Sequence, residues 1–132
     1  MSGAPAAAIE ELRAFEAGRL DPAKFPHREH LRFGYEMLCR HSFGEAISRF
    51  SRGLRLLTTK AGRPQLYHET ITVAFLALIN ERRARQAAES WSEFEQDNAD
   101  LFDKRCLGKW YEAEQLGSEL ARRTFCLPQA RP

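Results

Sequence analysis

The chain has no sustained alternation of apolar and polar residues between turn signals, which leaves no basis for a sheet. It has no apolar run approaching the ~20 residues that cross a bilayer. Its amino end, Met1-Ser2-Gly3-Ala4-Pro5, lacks the basic segment and apolar run of a secretion signal and reads as a flexible tail. Cysteine is scarce. Cys39, Cys106 and Cys126 are odd in number, widely spaced and without a CxxC pair. That excludes a disulfide framework and predicts reduced thiols in a cytoplasmic protein. A Gly-rich phosphate loop, a GxSxG elbow, a Cys–His motif and a dinucleotide fingerprint are also missing, so the familiar enzyme classes fall away. The net charge of +2 is too mild to point to nucleic acid. Neither membrane nor nucleic acid is an expected partner.

What is present is a helical alphabet. The 132 residues include nine Phe, enough for an aromatic core without a staple. Ile9, Leu12 and Phe15 mark a first helix over 6–19, stopped near Gly18. Asp21-Pro22 caps a single turn, and Pro26 restarts the chain. A second helix follows to Arg40, with Cys39 expected in the core. Gly34 inside it costs about 1 kcal/mol against alanine and calls for a close approach by another group. Ser42-Phe43-Gly44-Glu45 and Ser90-Trp91-Ser92-Glu93 are capping-box patterns. The first opens a helix to about Lys60, which Gly62 ends. The fourth helix is expected over 65–87 and is apolar on nearly every side from Ile71 to Ile79, the mark of a central helix. Ser118 caps a last short helix from Glu119 to Arg123, and Trp110-Tyr111 is expected to plug the core. The fold class is therefore all-α. A single domain over 6–128 bundles three long helices around Phe33, Phe50, Phe75 and Leu78, and 129–132 form a second flexible tail.

Candidate chemistry concentrates at two helix starts, which are expected to meet. His27 and His30 stand three apart on one helical face and can share a metal. His68, from the central helix, would complete three ligands for zinc, iron or copper with an open position for a small-molecule substrate. Glu69 or Glu81 would serve as fourth ligand or base, and Tyr67 would orient a bound water. In this reading Tyr67 and Glu69 are the catalytic pair, while Arg28 and Thr72 contact the ligand. Neighbouring helical residues point about 100° apart, so His68 and Thr72 face inward and Glu69 turns to a salt bridge, for instance with Arg122 or Arg32. A metal-free alternative uses the same histidines, beside Arg28 and the helix start, as a pocket for a small acidic ligand or an acid–base site. A third reading is a helical interaction module, with His27 and His30 bonded to loops and His68 a satisfied core histidine. Arg49, Arg52 and Arg55 could grip phosphate, but a solvated helix face accounts for them more simply.

His27-Arg28-Glu29-His30-Leu31, Tyr67-His68-Glu69-Thr70, Asn98-Ala99-Asp100-Leu101 and Leu120-Ala121-Arg122-Arg123, with Phe125 and Pro128, together resemble a family of small bacterial all-helical proteins. The resemblance spans Phe15 to Pro128. It implies that the motifs belong to one single-domain unit, and it brings no activity with it.

Overall fold

A computed structural model describes residues 6–129. Met1–Pro5 and residues 130–132 lie outside the described residues. Gln129 is inside them, and its backbone N–H donates to Gln115 Oε1 at 3.2 Å. Seven α-helices follow in order: α1 Ala6–Glu16, α2 His27–Arg40, α3 Phe43–Lys60, α4 Glu69–Arg85, α5 Trp91–Asp97, α6 Ala113–Leu116 and α7 Glu119–Arg123. Short 3₁₀ turns fill several of the connections, and the described residues contain no strand. The all-α expectation holds.

Local chemistry accounts for most boundaries. Asp21 accepts from the Ala23 N–H at 3.0 Å, which makes the expected single turn. Ser42, Ser90 and Ser118 each accept from the N–H three residues on, at 3.2, 3.2 and 3.1 Å. Each satisfies one of the donors that a helix start leaves open. Gly18 and Gly62 adopt φ of 72° and 77°, the left-handed conformation that ends a helix at little cost to glycine alone. Several boundaries differ from expectation, among them the end of α4 at Arg85, short of 87. α1 ends at Glu16, before Gly18, and α4 begins at Glu69 because Pro64–Leu66 form a separate 3₁₀ turn.

α4 is central, packing against α2, α3 and α7, while α1 lies on α3 and α5 on α2. The core centres on Phe15, which is fully buried against Phe25, Phe33 and Phe50 at ring separations of 5.4, 5.4 and 5.3 Å. Such contacts contribute about 0.5–1.5 kcal/mol each beyond area burial. Phe33, Phe50 and Phe75 are buried as expected. Leu78 is only half-buried, because Leu76 and Ile79 take the inward positions of α4. Cys39 is exposed rather than in the core. Tyr111 is buried, but Trp110 stays 39% exposed and plugs nothing.

Two glycines set helix separations. A Cβ on Gly53 would stand 2.4 Å from the Phe15 ring, so α1 meets α3 only because that side chain is absent. A Cβ on Gly34 would meet Leu76 Cδ2 at 3.0 Å and Ile79 Cδ1 at 3.3 Å. The close approach expected at Gly34 is thus made by α4 side chains.

Candidate functional site

The starts of α2 and α4 do meet. They enclose, with α3, a cavity of about 60 Å³. Its walls are Leu31, Phe50, Leu54, Ile71, Phe75, Leu76 and Ile79, and its polar groups are His27, His30 and Thr72. His27 and His30 are half-buried, so they form the rim, while Thr72 is buried.

Each polar group has a defined role. His27 Nε2 donates to the Leu101 carbonyl at 2.9 Å, and the ring packs edge-on against Phe75 at 5.0 Å. The 3₁₀ turn Ala99–Phe102 therefore fixes the orientation of this imidazole. His30 lies 4.7 Å from the Phe25 ring and 6.4 Å from the His27 ring, centre to centre. Burial, then the neighbouring His27, pushes its pKa down to about 4, with Lys104 adding to the shift and a backbone interaction at Phe25 opposing it. His30 is consequently neutral at pH 7. The Thr72 hydroxyl donates to the His68 carbonyl at 2.7 Å. Its lone pairs remain able to accept.

His68 does not join this pair. It is the N-cap of α4: Nδ1 accepts from the Ile71 N–H at 3.1 Å, and Nε2 donates to the Leu116 carbonyl at 2.6 Å. Both nitrogens are engaged, so the ring has none left for a metal. Among the described residues no group of three or more His, Cys, Asp or Glu lies where it could hold one ion. The expected three-histidine centre is therefore not assembled. The reading of His68 as a satisfied, buried histidine fits its two bonds.

Tyr67 and Glu69 lie together but outside the cavity. The Tyr67 hydroxyl donates to the Glu69 carboxylate, and the Arg55 guanidinium sits 4.1 Å above the Tyr67 ring and 3.7 Å from Glu69 Oε1. The salt-bridge partner of Glu69 is thus Arg55. Arg122 donates instead to the Gln65 carbonyl, and Arg32 grips Glu11 and Glu29. Burial, then the hydrogen bond to Glu69, raises the Tyr67 pKa. A phenol held protonated against a carboxylate is suited to locking a helix start rather than to moving protons. Arg28 also turns away, forming a two-point bond to Glu95 at 2.8 and 3.0 Å with its guanidinium over the Trp91 ring. Glu81 pairs with Arg85 at 2.7 Å and is absent from the cavity wall.

Of the residues singled out from sequence, the structure gathers His27, His30 and Thr72 on one cavity. It gathers Tyr67 and Glu69 elsewhere, and it commits His68 and Arg28 to structural bonds. The apolar wall and the Leu101 carbonyl carry no sequence signal of their own, since only the packing of α2, α3 and α4 reveals them.

No family model, curated protein or solved structure matches this chain. Function rests on the geometry just described.

Proposed function

We propose that the protein binds a small aliphatic molecule in the cavity between α2, α3 and α4, with its single polar head held at His27 and His30. The observation that carries this is the pairing of an almost wholly apolar wall with two imidazoles at its rim. Small-molecule sites have this composition, apolar lining with a few convergent polar groups. The size limits the ligand. A cavity of about 150 Å³ takes a benzene ring, whereas 60 Å³ suits a short chain. Binding is favoured over acid–base catalysis because an imidazole with a pKa of about 4 is a weak base at neutral pH. The free cysteines and the motifs quoted above support a cytoplasmic, bacterial setting as part of the same proposal.

A second reading keeps a divalent zinc, iron or copper ion, with His27 and His30 as its only side-chain ligands. Their rings share one rim at i and i+3, 6.4 Å apart. Two histidines fall short of the three protein ligands usual in a catalytic zinc site.

Titration with butanol and butyrate, followed by methyl NMR, tests the first reading. Saturable shifts at Leu31, Ile71, Leu76 and Ile79 are expected, and their loss in Ile71→Phe, where the larger side chain fills the cavity. Shifts that persist in Ile71→Phe, or none in the wild type, would sink it. Stoichiometric metal in protein purified without affinity nickel, lost in His27→Ala, would move the assignment to the second reading.

A further inference from the structure

Arg49, Arg52 and Arg55 recur along the outer side of α3, each step rising about 4.5 Å. With Glu16, Leu56 and Thr59 they line an open groove of about 460 Å³ beside the end of α1. This volume lies in the range of small-molecule sites. It shares no lining residue with the histidine cavity.

The charges along the groove are paired unevenly. Glu16 and Glu45 both bond Arg49, at 2.8 and 2.9 Å, so two carboxylates face one guanidinium there. Arg55 is braced over Tyr67 and stands 3.7 Å from Glu69, a carboxylate that already accepts from the Tyr67 hydroxyl. Among the described residues Arg52 has no carboxylate partner, and its one bond is a long 3.4 Å contact from Nε to the Ser48 carbonyl. Its guanidinium edge therefore stays available. Beside it Leu56 is 44% exposed, an apolar shelf pressed against Gly18.

We propose that this groove binds a small phosphorylated molecule. Arg52 and Arg55 grip the phosphoryl oxygens, and an apolar part of the ligand lies on Leu56. Guanidinium forks match phosphate oxygens in two-point geometry, which favours phosphate over a simple point charge. Thr59 adds a neutral hydroxyl at the same wall.

Calorimetric titration with phenyl phosphate, inorganic phosphate and benzoate tests the assignment. Phenyl phosphate is expected to bind more tightly than either of the others. Arg52→Glu should weaken it by about tenfold or more, the loss expected for charge-assisted hydrogen bonds. Arg123→Glu makes the same charge change at an exposed position on α7 and should leave binding unchanged. Leu56→Ser should erase the advantage of phenyl phosphate over inorganic phosphate. Arg52 and Leu56 are exposed, so these variants are expected to fold, and circular dichroism checks this. The proposal is overturned by absence of binding in the wild type, by equal weakening in Arg123→Glu, by benzoate binding as tightly as phenyl phosphate, or by an unchanged preference in Leu56→Ser.

Discussion

At the scale of single residues, His30 couples the cavity to solution acidity. Its pKa falls from 6.5 in the unfolded chain to about 4 in the fold. Between those values the unfolded chain takes up the proton more readily. The contribution of His30 is therefore whole above pH 6.5, lost as pH falls toward 4, and constant below that. The full difference is on the order of 3 kcal/mol. Urea unfolding of the wild type and His30→Gln between pH 7 and pH 4.5 isolates it. The wild type should lose more stability than the variant over that interval, and parallel curves would contradict the placement of His30. His68 teaches a different lesson. A histidine before a helix looks like a ligand in sequence, yet its meaning is set by a carbonyl 48 residues away, at Leu116. No local pattern encodes that partner, which is why the motif was legible as important and illegible as to role.

At the scale of elements, the two buried glycines separate overpacking from accommodation. Ala at Gly53 would drive its methyl into the Phe15 ring, which other rings surround and hold in place. Overpacking of this kind costs about 1–3 kcal/mol, against the ~1 kcal/mol that alanine returns as helix propensity. Ala at Gly34 meets only the tips of Leu76 and Ile79, and both side chains border the cavity and can give way. Gly53→Ala should therefore lower the denaturation midpoint, while Gly34→Ala should hold or raise it and narrow the cavity. Denaturant midpoints of the pair check this, and a loss in Gly34→Ala as large as in Gly53→Ala would contradict it. The elements themselves were largely readable. Serine caps, proline at 22 and 26 and the two left-handed glycines act within one turn of chain, so their signals are local. The start of α4 was misread because Gln65 and Leu66 suit a helix, and only the 3₁₀ turn at Pro64–Leu66 separates them from it. The inward face of α4 was hidden for a related reason: where Ile71 to Ile79 are apolar all round, periodicity cannot choose between Leu78 and its neighbours.

At the scale of the whole molecule, the carboxy-terminal segment is tied across α4 by a few buried bonds. The fully buried Thr70 hydroxyl donates to the Thr124 carbonyl at 2.8 Å and accepts from the Cys126 N–H at 3.0 Å, while the Tyr111 hydroxyl donates to the Cys126 carbonyl at 2.7 Å. Thr70→Val keeps the shape and removes two of these bonds. The stranded backbone groups should cost about 1–3 kcal/mol. Hydrogen exchange at the Cys126 amide should quicken well beyond that in α2, and uniform quickening would refute a local tie. The stretch from Tyr67 to Thr70 thus spends its polar side chains on backbone groups, on one another and on Arg55. That has a consequence for the order in which the molecule is made. While the ribosome still holds Leu116 and the residues after it, the His68 ring lacks one of its two anchors and Thr70 has no strap to grip. The α4 start beside the cavity gains its final bracing only once Leu116, Thr124 and Cys126 have emerged, so a product cut before Leu116 would keep α2, α3 and α4 and lose that bracing first.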